Sequence, residues 1–307
     1  MQKNTKKNQS LLDPLPSWNN KNPKQKIIEF VNKVTNPTLS SFVHPNDRIA
    51  TFDNDGTLWT EQPLYNDVQF DLEYIYQQIK KNPKLAQHSP YFEINSMKDS
   101  LTNDSLESIP GALNILLTAF PGITQEKYIE KAYFFLSNTK NNRFKRALKN
   151  LTYLPMVELI HYLQNNNFKT HIVTGGSQGM TRAVSEEVYH IEPGNVIGTH
   201  PQFTYALTKH GPIIMRQPIL SSNNDGVEKA INIQKIIGKK PIFACGNTGG
   251  DFEMLRLTTH SKNHFACMIN HDDGKREYSY PNKTVLDESQ RSNWTVISMK
   301  KDFVTIF

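Results

Sequence analysis

Two aspartates, Asp53 and Asp55, stand two positions apart at the end of an apolar run in the stretch RIATFDNDGTLW. Because side chains alternate along an extended strand, both carboxylates can point into one cleft. A carboxylate in this position can attack phosphorus and form an aspartyl-phosphate. Mutual repulsion of the pair requires a cation, most simply Mg²⁺ held by oxygen ligands. The alternative is an ordinary acidic turn, because aspartate is frequent in turns.

A threonine and two glycines follow a second apolar run, in KTHIVTGGS. The hydroxyl of Thr174 can hydrogen-bond a phosphate oxygen, and Gly175 and Gly176 allow backbone N–H groups to approach the same anion closely. Lys229 lies in the first turn of a predicted helix, GVEKAINIQKIIG, where its ammonium can neutralise an anionic intermediate. Lys235 lies on the same helix and is the alternative phosphate-binding lysine.

A third strand end, in IFACGNTGGDFEML, offers oxygen atoms to a metal ion. Asn247 and Asp251 stand four positions apart there, and Mg²⁺ accepts both carboxylate and amide oxygens. Which of the two is the main metal ligand stays open from the sequence. The segment alone could equally begin a helix with Asp251 as its cap. The prediction of a site therefore depends on all of these strand ends occurring in one chain.

Short, continuously apolar runs alternate with amphipathic helical patterns along residues 151–307, after a first such run at residues 48–53. Strands that are apolar throughout are typical of a parallel sheet with helices on both faces. The sequence therefore predicts an α/β fold with a Rossmann-like parallel sheet, whose ligands bind outside the carboxyl ends of the strands. Residues 195–220 alternate in a way that predicts short extended pieces. Cys245 and Cys267 lie in apolar runs and are predicted to be small core residues.

Residues 64–150 contain helical patterns separated by Pro, Gly and Asn, and no strand pattern. They predict a helical cap domain at residues 64–150, a core domain formed by residues 15–63 and 151–307, and a polar tail at residues 1–14. Several aromatic residues recur at helical spacing in the cap and are predicted to form its interior rather than a substrate pocket: Phe70, Tyr74, Tyr133, Phe134 and Phe135.

Four elements in this order, FDNDGTLW, IVTGG, Lys229 and GNTGGDFEML, resemble the four motifs of haloacid dehalogenase-superfamily hydrolases. Further segments resemble a bacterial phosphatase-like subfamily along nearly the whole chain: DPLPSWN, PMVELIHYL, INHDDGKREYSY and WTVISMKKDF. The resemblance implies a Rossmann-like core with a helical cap inserted after the first motif. The chain departs from the family pattern at Asn247, where many relatives carry aspartate, and at Thr174, where serine is common.

The resemblance also implies a role for each motif residue. Asp53 would be the nucleophile, and Asp55 would protonate the leaving oxygen and later activate water. Thr174 and Lys229 would hold the phosphoryl group during catalysis. The implied cofactor is Mg²⁺, with four ligand residues: the Asp53 carboxylate, the Asp55 backbone carbonyl, Asn247 and Asp251.

Five further residues are predicted to reach the rim of the cleft: Glu61, Gln62, Tyr65, His271 and Arg276. The first three follow the first motif, where cap and core should meet, and one of them is expected to contact substrate. The last two lie in INHDDGKREYSY, after a predicted strand. For these two a plain polar loop is an equal alternative, because strand ends of α/β folds carry loops whether or not they function.

Composition is that of a globular protein: 307 residues, 37% of them hydrophobic, suffice for a sizeable core. The net charge of +6 favours anionic ligands in general, but the lysines are dispersed and predict no nucleic-acid binding. No apolar run reaches the roughly 18 residues of a membrane span. No signal peptide is visible, so a cytoplasmic location is expected, or a periplasmic or secreted one if a signal was trimmed. The oligomeric state is not predicted.

The predicted function is a Mg²⁺-dependent phosphatase that hydrolyses phosphate monoesters through an aspartyl-phosphate. Its substrate would be a small phosphorylated molecule or a phosphopeptide, chosen by residues of the cap. Two alternatives stay open: phosphoryl transfer to an alcohol other than water, and non-catalytic phosphate binding, although a binding protein has no need of a general acid. Dehalogenation is disfavoured because it needs neither that acid nor a metal, and the lack of membrane spans excludes ion pumping.

Overall fold

One mixed sheet forms the centre of the molecule in the computed structural model, which describes residues 13–307 apart from the side chains at positions 107, 113 and 117. Its strands are β1 (Ile49–Phe52), β2 (Lys169–Ser177), β3 (Val196–Thr208), β4 (Gly211–Ser222), β5 (Phe243–Gly246), β6 (Phe265–Asn270) and β7 (Thr295–Ser298). They lie in the order β4-β3-β2-β1-β5-β6-β7. Neighbours are parallel except β3 and β4. The predicted parallel α/β sheet is confirmed.

Twelve α-helices occur within the described residues. They are α1 (Asn22–Thr35), α2 (Asn66–Lys81), α3 (Tyr91–Ser96), α4 (Asn103–Glu107), α5 (Ala112–Leu117), α6 (Gln125–Asn138), α7 (Leu154–Asn165), α8 (Gln178–Tyr189), α9 (Val227–Ile236), α10 (Phe252–Thr259), α11 (Lys283–Arg291) and α12 (Met299–Asp302). None of the described helices is long and apolar enough to cross a membrane. Of the predicted tail at residues 1–14, residues 1–12 lie outside the described part of the chain.

Apolar side chains cover both faces of the sheet, which is why its strands carry no polar alternation. Helices α1 and α7 pack on one face, and a cluster of buried residues there includes Phe30, Ile160 and Phe52. Helices α9, α10 and α11 pack on the other face around Met268. Burying one large apolar side chain contributes roughly 1.5–3 kcal/mol. Cys245 and Cys267 are both buried and unoxidised, paired in register on β5 and β6.

Helices α2 to α6 follow the first strand, and α2 to α5 have a small core of their own, to which Leu72, Ile75 and Ile94 contribute. A second apolar cluster joins α2 and α6 to α8, through residues such as Phe70, Phe135 and Met180. The domain boundaries remain a prediction, but this packing fixes where α2 lies relative to the sheet. The prediction of buried aromatics is wrong at two positions. The side chains of Tyr133 and Phe134 are 41% and 69% exposed, because they lie on the outer face of α6.

Strands β3 and β4 form a long hairpin of 13 and 12 residues, where the sequence predicted only short extended pieces. Most side chains of its outer part are exposed or half-buried, so burial imposes no strong pattern on the sequence there. Part of the hairpin is supported by backbone pairing with the helical segment. The N–H of Arg216 donates to the Ile123 carbonyl at 3.0 Å, and that of Gly122 donates to the Arg216 carbonyl at 3.0 Å.

Candidate active site

Asp53 follows β1 directly and lies at the carboxyl edge of the sheet. Its N–H donates to the Cys245 carbonyl of β5 at 2.9 Å, which extends the strand pairing by one residue. The buried carboxylate accepts a hydrogen bond from the Lys229 ammonium at 2.7 Å. Burial and the nearby charge of Asp251 raise the pKa of Asp53 well above its usual value. The ionised form of this desolvated carboxylate therefore requires a positive charge nearby.

Asp55 lies beside Asp53, where two hydrogen-bond donors orient its carboxylate. Trp59 donates from Nε1 to Oδ1 at 2.7 Å, and the Thr174 hydroxyl donates to Oδ2 at a longer 3.4 Å. Burial and the charge of Asp67 raise the pKa of Asp55 to about 7, although the Trp59 hydrogen bond acts in the opposite direction. A carboxyl group with a pKa near neutrality can both give and take a proton.

Lys229 lies near the beginning of α9 and is almost completely buried. Its Nζ lies 2.6 Å from Asp251 Oδ1 and 2.7 Å from Asp53 Oδ1. Burial alone would lower the pKa of this ammonium, but the two carboxylates raise it above its usual value, so the group stays charged. Lys235 is exposed on the same helix. The structure therefore brings Lys229 to the carboxylates, and not Lys235.

The turn after β5 presents Asn247 and Asp251. Asp251 Oδ2 accepts the N–H groups of Asn247 and Thr248 at 2.9 and 3.0 Å, so this fully buried carboxylate closes the turn. Its other oxygen faces Lys229. The Asn247 side chain reaches the first motif, because its Oδ1 accepts a hydrogen bond from the Thr57 hydroxyl at 3.1 Å.

The end of β2 brings Thr174, Gly175 and Gly176 to the same edge. Thr174 is fully buried, and its Oγ1 accepts the Gly176 N–H at 3.0 Å. A Cβ atom at Gly176 would lie 3.0 Å from Asp55 Oδ2 and 3.1 Å from Asp67 Oδ2. Glycine thus leaves room for two carboxylates to converge above this strand end.

A cleft of about 220 Å³ opens at this edge. Seven predicted residues line it: Asp53, Asp55, Glu61, Tyr65, Gly175, Gly176 and Lys229. Asp67 and Asp225 also line it and were not predicted. Asp67 Oδ2 accepts the Ser177 N–H at 2.8 Å, which ties α2 to the end of β2. No local sequence signal marks Asp67, because its position depends on how α2 packs against the rest of the chain.

The other predicted rim residues have different surroundings. Gln62 and His271 line a neighbouring pocket of about 160 Å³. His271 is buried, and its Nε2 lies 2.7 Å from the Gly56 carbonyl, so that nitrogen donates. Arg276 does not line the cleft. Its guanidinium donates to the carbonyls of Met299 and Val304 at 2.8 Å each, so it anchors the C-terminal segment.

Four oxygen donors could hold a metal ion here, and their chemistry fits Mg²⁺. They are the Asp53 and Asp251 carboxylates, the Asn247 amide and the Asp55 backbone carbonyl. Within the described residues no group of three or more His, Cys, Asp or Glu side chains is arranged to bind a metal, and this set has only two carboxylate ligands. The raised pKa of Asp53 means that Lys229 does not fully offset the buried negative charge, so a hard divalent cation would suit the site.

The strand order is that of a Rossmann-like α/β protein. The buried carboxylate at the end of the central strand lies where ligands bind in such folds, outside the carboxyl ends of the strands. The family model described as haloacid dehalogenase-like hydrolase matches residues 50–256, two thirds of the chain. The chain belongs to this family of hydrolases, as its motifs predicted. No protein of curated function matches the sequence significantly.

The solved structures to which this chain is similar are distant in sequence. A protein of unknown function from Anaerococcus prevotii is 15% identical, with a TM-score of 0.55 over 92% of this chain and 94% of its own. One from Bordetella pertussis is 14% identical, with a TM-score of 0.52 over 81% and 97%. A phosphoserine phosphohydrolase-like protein from Francisella tularensis is 16% identical, with a TM-score of 0.43 over 81% and 94%. At such identities the first two establish the fold alone.

Replacing Lys229 with methionine is expected to lower the free energy of unfolding by roughly 3–5 kcal/mol in Mg²⁺-free buffer at neutral pH. The substitution leaves Asp53 and Asp251 buried together without their shared ammonium. Because the pKa of Asp53 is already raised in the folded state, protonation on acidification favours the folded variant, and the deficit should shrink towards about pH 5. Urea unfolding at several pH values measures both effects.

Lys235→Met is the matched control, because the same charge is lost from an exposed position on the same helix. Its free energy of unfolding should stay within about 0.5 kcal/mol of the wild-type value. Equal stability of the two variants would contradict the assignment of Lys229 as the internal counter-charge.

Proposed function

We propose that the protein is a Mg²⁺-dependent phosphatase that hydrolyses phosphate monoesters through an aspartyl-phosphate intermediate. The observation that most supports this is the convergence of Asp53, Asp55 and Lys229 on one cleft, with Thr174 hydrogen-bonded to Asp55. Membership of the hydrolase family supports the same reaction class.

In the first step a carboxylate oxygen of Asp53 attacks phosphorus. A bond forms between that oxygen and phosphorus, and the bond between phosphorus and the ester oxygen breaks with its electron pair going to the leaving oxygen. Asp55 gives its proton to that oxygen, so the leaving group departs as a neutral alcohol. The pKa of about 7 keeps a substantial fraction of Asp55 protonated at neutral pH for this role.

In the second step Asp55, now a carboxylate, takes a proton from a water molecule. The water oxygen attacks phosphorus, and the bond to Asp53 breaks, which releases inorganic phosphate and returns both aspartates to their starting states. The hydrogen bonds from Trp59 and Thr174 hold Asp55 in one orientation for both proton transfers.

Lys229 and the strand end at Thr174 would bind the phosphoryl group. Lys229 brings a buried positive charge to the attacking carboxylate, and Gly175 and Gly176 leave the backbone of β2 open to the cleft. When bound, Mg²⁺ would add positive charge that offsets repulsion between Asp53 and the phosphate and stabilises charge on the transferring group. Its holders would be Asp53, the Asp55 carbonyl and the pair Asn247 and Asp251.

The size of the cleft bears on the substrate. A volume of about 220 Å³ is below the roughly 300–1,000 Å³ of pockets that bind drug-sized ligands, which favours a small phosphorylated molecule over a phosphopeptide. Asp67 and Asp225 add negative charge to the lining. A leaving alcohol that carries further negative charge should therefore bind less well than a neutral or cationic one.

The proposal is tested with p-nitrophenyl phosphate in Mg²⁺ and after treatment with a chelator. Hydrolysis should require Mg²⁺ and should return when excess Mg²⁺ is restored, because the buried carboxylates otherwise repel the phosphate. Release of p-nitrophenolate and of inorganic phosphate is followed in parallel. An equal rate with and without chelator would overturn the metal dependence, and the absence of any phosphate release across a panel of phosphorylated metabolites would overturn the function.

A further inference from the structure

Glu61 and Asn247 form a buried contact between the first and fourth motifs. The Asn247 Nδ2 donates to Glu61 Oε1 at 3.1 Å, and the two residues are 3% and 5% exposed. The steps of the reaction above do not use Glu61, although it lines the same cleft as Asp53 and Asp55. Its carboxylate is therefore a buried charged group whose role is unassigned.

The hydrogen bond with Glu61 fixes the orientation of the Asn247 side-chain amide. A carboxylate such as Glu61 accepts hydrogen bonds, so it selects the NH₂ end. In that orientation the Thr57 hydroxyl, which can donate or accept, donates to Oδ1 at 3.1 Å. An amide oxygen has two acceptor positions, so the Thr57 hydrogen bond leaves Asn247 Oδ1 with the capacity to bind a cation as well.

The first motif leaves space for this contact at Gly56. A Cβ atom there would lie 2.0 Å from Asn247 Nδ2 and 2.7 Å from Glu61 Cδ. The backbone of Gly56 also has a φ of +71°, which favours glycine. The glycine of the turn after Asp55 is therefore required by the Glu61–Asn247 pair as well as by the turn itself.

Pairing the Glu61 carboxylate with a neutral amide also avoids electrostatic repulsion. An aspartate at position 247 would place a second carboxylate about 3 Å from Glu61, a repulsive arrangement in a buried site. The neutral amide of Asn247 avoids that repulsion while Glu61 retains a negative charge next to the donor set. The buried carboxylate of Glu61 thus accounts for the neutral residue at position 247, where the family motif has aspartate.

We propose that Glu61 is a positioning residue for the metal site, which holds Asn247 with its oxygen free for the cation and supplies the negative charge that position 247 lacks. This inference rests on the proposed Mg²⁺-dependent function. It assigns to Glu61 a role distinct from the substrate contact expected at the rim, because its effect would appear in Mg²⁺ affinity without any substrate.

The test is a titration of the metal-free protein with MgCl₂ alone, in which isothermal titration calorimetry measures the affinity for Mg²⁺. Substitutions beside metal ligands typically cost 10–100-fold in metal affinity. Glu61→Leu, which loses both the acceptor and the charge, should fall in that range, and Glu61→Gln, which keeps an acceptor but loses the charge, should bind about tenfold more weakly. The double variant Glu61→Gln with Asn247→Asp exchanges the two groups and should return to within about threefold of the wild-type affinity.

Glu187→Gln is the control, because it removes a carboxylate from a surface ion pair with Lys149; it should bind Mg²⁺ like the wild type. Urea unfolding without Mg²⁺ shows whether each variant is folded. If Glu61→Leu is unfolded, the Mg²⁺ affinity of the isosteric variant Glu61→Gln tests the inference. Wild-type affinity in both single variants, or no recovery in the double variant, would overturn the inference and leave the phosphatase proposal intact. Failure of the wild type to bind Mg²⁺ would overturn both.

Discussion

Asp53→Asn is expected to reduce the turnover of p-nitrophenyl phosphate by on the order of 10⁴-fold or more, the scale seen when a catalytic nucleophile is removed. The neutral side-chain amide of asparagine is a poor nucleophile and cannot form the acyl phosphate that a carboxylate forms. The asparagine has nearly the same shape, so the cleft and the position of Lys229 should be retained. The loss should therefore appear in kcat with a folded enzyme.

The stability of Asp53→Asn separates a chemical defect from a folding defect. In the folded wild type, burial and the charge of Asp251 raise the pKa of Asp53, which means that the ionised side chain is disfavoured there relative to the unfolded chain. A neutral amide removes that cost at neutral pH, while Lys229 keeps its contact with Asp251. The free energy of unfolding of the metal-free variant should therefore equal or exceed that of the wild type.

Three measurements check this prediction: kcat with Mg²⁺, urea unfolding without it, and mass spectrometry of acid-quenched enzyme for a phosphorylated Asp53. Asp272→Asn is a control of the same chemical type, because Asp272 bonds to Ser298 Oγ and to the Lys300 N–H; its turnover should match the wild type. Substantial activity in a folded Asp53→Asn protein would rule out the covalent intermediate, as would phosphorylation at a different residue.

The convergence of the strand ends could be predicted from the sequence, because of one geometric rule. The carboxyl ends of parallel strands meet at one edge of a sheet, so Asp53, Thr174 and Asn247 had to approach one another once their strands were recognised. Strand identity followed from short, fully apolar runs, a local property. The position of Lys229 in the first turn of α9 could also be predicted from a local property, the helical pattern GVEKAINIQKIIG.

Contacts made across elements could not be predicted in this way. Asp67 reaches the cleft because α2 is held by aromatic packing of Phe70 against Phe120 and Phe135, which depends on tertiary contacts far along the chain. Arg276 looked like a rim residue because it follows β6. Its long side chain instead reaches the carbonyls of the C-terminal segment, and no pattern near position 276 specifies that direction.

Asp55→Asn is expected to lower kcat by about 10²–10⁴-fold for an alkyl phosphate, the usual contribution of general acid–base catalysis. The alcohol of an alkyl ester is a poor leaving group unless it receives a proton. The amide of asparagine can still accept the hydrogen bond from Trp59 that Asp55 Oδ1 accepts, so the variant should fold. It should also retain the backbone carbonyl at position 55 and bind Mg²⁺.

The same variant should treat p-nitrophenyl phosphate differently, because p-nitrophenolate leaves without a proton. The first step should then be much less impaired than the second, in which Asp55 must still take a proton from water. Rapid mixing should show a burst of p-nitrophenolate close to one equivalent of enzyme, followed by slow turnover, and the phosphorylated Asp53 should accumulate. The wild type, which has the proton acceptor, is the reference for both phases.

Comparing the alkyl phosphate with p-nitrophenyl phosphate distinguishes the loss of proton transfer by Asp55 from a general loss of activity. A variant that is merely distorted would lose the same factor with both substrates and would show no burst, since Asp53 would be displaced as well. Equal losses would therefore remove Asp55 from the proton transfers and leave it only its place beside the nucleophile. A loss that grows as the leaving alcohol becomes less acidic would identify the carboxyl group, whose pKa burial and Asp67 raise to about 7, as the proton donor.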